Sequence, residues 1–167
     1  MPSICEEKIY TGIFREYSET LHNYLFYKTG NRDMAYDLTQ EAFTRLWLNC
    51  AKVLFNSAKG YVFKTANNLL LNEYDHQKVV LRHQQKPTTS HTNESPEFIL
   101  EEKELKEELE AAIAALPEKQ RVVFLMSRID KKKYREIAEI LGISKQAVEK
   151  RMYNALDALR KVSKGIR

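Results

Sequence analysis

Long apolar runs are missing from this 167-residue chain: Leu69-Leu70-Leu71 is typical, and even Ala111 to Leu116 spans only six residues. A membrane-crossing helix needs roughly 20 consecutive apolar residues, so no membrane insertion is expected. The first ten residues carry Glu6 and Glu7 and no apolar stretch, which argues against a secretory signal peptide. A cytoplasmic location is the expectation that follows. Cysteine is scarce as well. Cys5 and Cys50 stand far apart, with no CxxC spacing and no histidine partner, and they are read as free thiols rather than metal ligands. The four histidines (His22, His76, His83, His91) are scattered, and no two of them stand three or four residues apart. There is no glycine-rich phosphate loop and no nucleophile placed beside a base. These absences exclude the usual enzyme signatures, so no catalytic residue, cofactor or metal is expected.

What is present is a globular composition, 43% hydrophobic and 30% charged. The net charge of +4 is unremarkable, but its distribution is uneven. Residues 94–118 hold nine acids against two bases, a net −7, and residues 131–167 hold eleven bases against four acids, a net +7. An acidic stretch followed by a basic tail is the asymmetry of a protein that meets a polyanion at one end.

Strand signals are nearly absent and helical periodicity dominates. Ile13, Tyr17, Leu21, Tyr24, Leu25 and Lys28 mark a first helix. Thr29-Gly30-Asn31-Arg32-Asp33 ends it and starts another, with Gly30 suited to a positive φ and Asn31 able to cap. Ala35, Leu38, Ala42 and Leu46 give the second helix one apolar face. A third runs from about Ser57 to Val80, with Ala66, Leu69, Leu70 and Tyr74 inward. The polar, proline-bounded stretch from Gln84 to Pro96 reads as a flexible linker. The expected fold is therefore all-α: an N-terminal helical domain over 8–83, a linker over 84–97, and a C-terminal helical domain over 98–167. In the latter, Leu100, Leu105, Leu109, Ala112, Ile113 and Leu116 face inward, and Pro117 is expected at the first position of the next helix.

Two motifs carry function. Tyr134 to Tyr153 reads as a helix-turn-helix. Ala138 is small where two helices cross, Gly142 suits the left-handed turn, and Ser144 caps the second helix. Ile137, Leu141, Ile143, Val148 and Met152 form the shared core. Gln146, Lys150, Tyr153 and Asn154 lie on the other side, with Glu149 at the margin, where they can reach base edges or phosphates in a major groove. In the second motif, Asp37, Glu41 and Thr44 line one exposed stripe, with Phe43 and Trp47 as an aromatic pair beside it. By itself this is an amphipathic helix with acids on its wet side.

Asp37-x-x-Gln40-Glu41-x-Phe43 followed by Trp47 resembles the polymerase-binding helix of sigma-70 family proteins. Gly60-Tyr61-Val62-Phe63-Lys64-Thr65-Ala66-Asn67-Asn68-Leu69 and onward to Asp75 resembles that family's promoter-melting and −10-reading helix. Leu116-Pro117-Glu118-Lys119-Gln120-Arg121, followed by the helix-turn-helix, resembles its −35-reading domain. Three motifs in this order across a short linker are similar to the extracytoplasmic-function (ECF) group.

The resemblance implies a sigma factor that directs core RNA polymerase to promoter DNA and is held in check by an anti-sigma factor. It implies polymerase binding through Asp37, Gln40, Glu41 and Thr44, with Phe43 inside the motif. It implies −10 contacts through Tyr61, Lys64, Asn68, Asn72, Lys78 and Arg82, with Lys59 also near the backbone, and −35 contacts through Ser144, Lys145, Gln146, Glu149, Lys150 and Asn154. Asn72 stands where many members have aspartate, and Glu149 and Asn154 where some have arginine. The rival reading is a stand-alone helix-turn-helix regulator, which would bind DNA tightly without polymerase.

Overall fold

The computed structural model describes residues 1–84 and 103–164, with side chains over 1–77 and 107–162. The linker expected at 84–97 and the apolar positions Leu100 and Leu105 lie outside the described side chains. Among the described residues there are seven α-helices, one 3-10 turn and no strand. They are α1 (Glu7–Thr29), α2 (Arg32–Leu48), α3 (Ala58–Gln84), α4 (Lys103–Ala115), α5 (Glu118–Arg128), α6 (Tyr134–Leu141) and α7 (Lys145–Lys164), with the 3-10 turn at Phe55–Ser57. The chain divides into two compact units. One is Met1–His22 with Arg32–Thr92; the other is Asn93–Arg167 with Asn23–Asn31.

In the first unit, α2 and α3 pack through small and branched residues. Ala35, Ala42, Leu46, Val62, Ala66 and Leu70 are buried. Thr39 is buried with them because its hydroxyl donates to the Ala35 carbonyl at 2.7 Å, which removes the cost of hiding a polar group. Two aromatics of α2 each meet a ring of α1. Phe43 lies edge-on to Phe14 at 4.9 Å between centroids, and Trp47 edge-on to Tyr10 at 5.0 Å. The Tyr10 hydroxyl donates to the Phe43 carbonyl at 2.8 Å, and burial pushes its phenol pKa up. Phe43 and Trp47 were expected as a pair beside the acidic stripe. Instead Phe43 is core, and Trp47 keeps 42% exposure at the margin. Gly30 has φ 70°, the left-handed geometry expected where α1 stops.

The two cysteines correct the sequence reading. Cys5 and Cys50 are joined in a disulfide with a Cα–Cα distance of 5.1 Å across 45 residues of sequence. The N-terminal segment, which carried no signal in the sequence, is held against the first unit, and Ile4 retains only 1% exposure. Closing a loop of this size stabilises the fold by about 4 kcal/mol in the chain-entropy picture.

In the second unit, Ile113, Leu116, Val122, Val123, Leu125, Met126, Ile137, Ala138, Val148, Met152, Ala155 and Leu159 form the core. Two sequence expectations shift. Leu109 follows the apolar periodicity of α4 yet is 36% exposed. Pro117 sits at the N-cap of α5 with extended ψ 142°, one residue before the expected first helical position. Arg121 donates from one guanidinium nitrogen to the Ala114 and Leu116 carbonyls at 3.2 and 3.3 Å, satisfying the open end of α4. Between α5 and α6, Lys131 holds φ 56°, uncommon for a residue with a side chain.

The helix-turn-helix forms where the local chemistry placed it. Gly142 has φ 67° as the C-cap of α6. The Ser144 hydroxyl accepts from the Ala147 backbone N–H at 3.1 Å and caps α7. At the start of α6, the Lys133 N–H donates to the Glu136 carboxylate at 2.8 Å. Leu141 and Ile143 are half-buried rather than central. Ser144→Ala is expected to cost about 1 kcal/mol by leaving that donor to water. Thermal melting should then fall by about 4–8 °C in so small a unit. An unchanged melting curve would mean the cap contributes nothing.

Candidate nucleic-acid and polymerase interfaces

Three helix faces carry the residues singled out above. On α7, the core-facing stripe Val148, Met152, Ala155 and Leu159 is buried at i, i+4, i+7 and i+11. This leaves Lys145, Gln146, Glu149, Lys150 and Asn154 exposed on the other side, with Ser144 exposed at the cap. Tyr153, 68% exposed, joins that face. Lys145 Nζ lies 4.0 Å from Glu149 Oε1, a loose surface pair worth little in water. It does set a cation beside the one acid on a face otherwise made of bases, amides, the Ser144 hydroxyl and the Tyr153 ring. Two further bases of the basic tail, Lys131 and Lys133 in the turn before α6, are exposed as well.

On α3, Tyr61, Lys64, Asn68 and Asn72 recur at i, i+3, i+7 and i+11, so they share one face. Lys64, Asn68 and Asn72 are exposed and Tyr61 is half-buried. Phe63 points into the core and Tyr74 is half-buried. Leu71 lies exposed near Asn72. The Lys59 ammonium sits 5.8 Å from the Tyr17 ring centroid, a cation–π contact. The α3 helix continues through Lys78 and Arg82, whose side chains lie outside the described residues.

On α2, Asp37, Glu41 and Thr44 are exposed and Gln40 is half-buried. Glu41 Oε1 pairs with Arg45 Nε at 3.0 Å, both side chains about half exposed. The Thr44 hydroxyl donates back to the Gln40 carbonyl at 2.9 Å. The stripe is therefore acidic at Asp37 and partly neutralised at Glu41. Among the described residues no three His, Cys, Asp or Glu side chains group as metal ligands. None of the described helices is long and apolar enough to cross a membrane.

These faces coincide with two family regions. Residues 13–79 match sigma-70 region 2, and residues 106–159 match sigma-70 region 4. The chain is 27% identical over 167 residues to the ECF RNA polymerase sigma factor SigW of Bacillus subtilis, covering 93% of this chain and 89% of that protein. It is 24% identical over 152 residues to the ECF RNA polymerase sigma factor SigE of Mycolicibacterium smegmatis, covering 89% of this chain; it spans only 59% of that relative's length. The fold is similar to that of the sigma factor RpoE crystallised with the anti-sigma factor NepR from Bartonella quintana. There the TM-score is 0.56 and the identity 16%, over 94% of this chain and 98% of that one. With region 2 on the α1–α3 unit and region 4 on the helix-turn-helix, in that order, the chain belongs to the sigma-70 family of RNA polymerase sigma factors, in its ECF group, whose role is transcription initiation.

Proposed function

We propose that this chain binds core RNA polymerase through α2, reads and helps open the −10 element with α3, and reads the −35 element with α7. The observation that carries the reading is the division of α7 into a buried apolar stripe and an exposed face of amides and bases, within a region-4 match that follows region 2. It acts in the cytoplasm, where polymerase and promoters are, and performs no catalysis of its own. An anti-sigma protein is its expected regulator, on family grounds.

The physical logic is division of labour. A single helix-turn-helix of this size supplies modest affinity. Two DNA readers carried on one polymerase act at high effective concentration, so each can be weak and the pair still specific. At −10, taking a base out of the stack costs a few kcal/mol. Asn68 offers a donor and an acceptor to hold such a base, with Lys64 beside it for the phosphate backbone. At −35, Gln146 can pair with adenine in bidentate fashion and Glu149 can accept from cytosine N4. Lys150 positions the helix on phosphate.

Run-off transcription with purified core polymerase on a fragment library from the source genome tests the reading. Specific start sites that need both components are expected. Tight, specific DNA binding by the chain alone, with no effect on initiation, would favour the stand-alone regulator instead. Selection over randomised −35 sequences then assigns residues. Lys150→Ala should weaken all promoters about equally and lessen salt sensitivity. Gln146→Ala and Glu149→Ala should each change the preferred bases, by about 1–3 kcal/mol per lost contact. Unchanged preferences in both variants would displace the recognition face.

A further inference from the structure

The disulfide lies where it can influence the candidate docking helix. Cys5 is exposed just before α1, and Cys50 is half-buried in the turn just after α2. That turn is knit closely to the last turn of α2. Asn49 donates its backbone N–H to the Arg45 carbonyl at 3.0 Å and its side-chain amide to the same oxygen at 2.9 Å, and Cys50 N–H donates to the Trp47 carbonyl at 3.2 Å. On the other strand of the link, Ile4 is buried, Glu6 N–H donates to the Ser3 carbonyl at 3.1 Å, and Cys5 N–H meets the Ser3 hydroxyl at 3.3 Å. The bond therefore ties the first five residues to the end of the helix that carries Glu41, Thr44 and Arg45.

We propose that Cys5 and Cys50 form a redox-responsive clasp, closed as a disulfide and open as two thiols, which sets how firmly the C-terminal end of α2 and the first five residues are ordered. Its consequence for polymerase affinity rests on the docking reading of α2. Cys5 is an exposed residue, the side from which a thiolate in solvent can approach the bond. A low-molecular-weight dithiol attacks it, the Cys5–Cys50 bond breaks, and a mixed disulfide forms with Cys50 leaving as thiolate. The reagent's second thiol then displaces Cys5. Two electrons pass from the dithiol to the protein, the reagent becomes its own disulfide, and the two cysteines end as thiols after taking up protons. The oxidised form of the same reagent drives the reverse exchange. Closure is favoured because Ile4 and the Tyr10 hydroxyl bond to the Phe43 carbonyl hold the two thiols near each other after reduction. A reducing cytosol keeps such pairs mostly open, and disulfides there are characteristically transient and redox-sensing. The closed clasp pre-organises the end of α2, and pre-organisation raises affinity without a new contact.

The test equilibrates the full chain in mixtures of reduced and oxidised dithiothreitol. Thiols are counted by maleimide labelling and intact mass, backbone amide exchange is measured over residues 1–10 and 45–54, and affinity for core polymerase is measured in parallel. The expected result is a reversible change from zero to two labelled thiols, with exchange in both segments at least about tenfold faster in the reduced chain. Core affinity should fall about three- to tenfold on reduction. Cys5→Ser and Cys50→Ser should each show one labelled thiol and match the reduced chain in exchange and core affinity under all conditions. The wild-type comparison stands even if a serine variant folds poorly. Two labelled thiols under fully oxidising conditions or equal exchange in the two states would each overturn the clasp, and equal measurable core affinity would overturn its effect on docking. Redox-dependent exchange with no core binding in either state would support the clasp and count against the docking reading alone.

Discussion

Asp37→Arg combined with Glu41→Arg is expected to abolish binding to core RNA polymerase, a loss of at least about 100-fold, while leaving the fold intact. Both residues lie on the solvent side of α2, and the opposite side is occupied by Ala35, Thr39, Ala42, Phe43 and Leu46. The substitutions therefore disturb no core contact. The one interaction lost is the Glu41–Arg45 pair, which is half exposed and worth no more than about 0.5 kcal/mol. A new arginine at position 41 repels Arg45 by a similar small amount. At the interface the effect is much larger. An acidic stripe selects a basic partner, and reversing two charges places like against like, which costs several kcal/mol. Circular dichroism should show unchanged helicity and melting within a few degrees, and fluorescence anisotropy with labelled chain should show no binding to core. Retained affinity in a folded double variant would remove α2 as the docking element.

Val148→Asp is expected to unfold the second unit and leave the first folded. Val148 has 0% exposure on α7, within the core that also holds Ile137, Met152 and Ala155. The change removes a buried apolar side chain worth about 1.5–3 kcal/mol. It also forces a carboxyl group into a site lined by hydrocarbon, where an unpaired polar group costs roughly 2–7 kcal/mol more. A domain of about seventy residues has roughly 4–10 kcal/mol of total stability, so the sum meets or exceeds what is available. Heteronuclear NMR of the full chain should show collapse of the α5–α7 resonances with those of α2 and α3 in place. Gln146→Ala, two residues earlier and exposed, should leave stability within about 0.5 kcal/mol. Native-like dispersion throughout the Val148→Asp variant would contradict the burial that defines the recognition face.

How much was legible in the sequence depended on the range of the interaction that decided each feature. The helix-turn-helix was read within a residue, from Tyr134–Leu141 through Gly142 to the start of α7 at Lys145. Its determinants are local: a left-handed glycine, a hydroxyl cap three residues from its donor, and an apolar period of 3.6. The exposure of Asp37, Glu41, Asn68 and Lys150 follows from the same period, because a helix that buries one stripe must show the other. Family motifs then attached roles to those stripes that periodicity alone could not supply.

Tertiary structure decided what no local rule reaches. Phe43 and Trp47 are four residues apart on one helix, yet only the approach of Phe14 and Tyr10 from α1 determines that the first is core and the second half open. Leu109 keeps the apolar period of α4 and remains partly exposed, because burial needs a partner surface as well as a pattern. The clearest case is Cys5 with Cys50. Nothing in the neighbourhood of either cysteine signals the other, and local pattern alone points to free thiols. Their Cα atoms come within 5.1 Å because the buried Ile4 and the rings of α1 hold the start of the chain on the end of α2. Helix type and helix faces were legible in the chain alone, since these depend on residues within a few turns of one another, and the order of the two family regions is simply their order along it. Only the fold decided the disulfide and the division between core and open aromatics, since these depend on segments brought together across tens of residues.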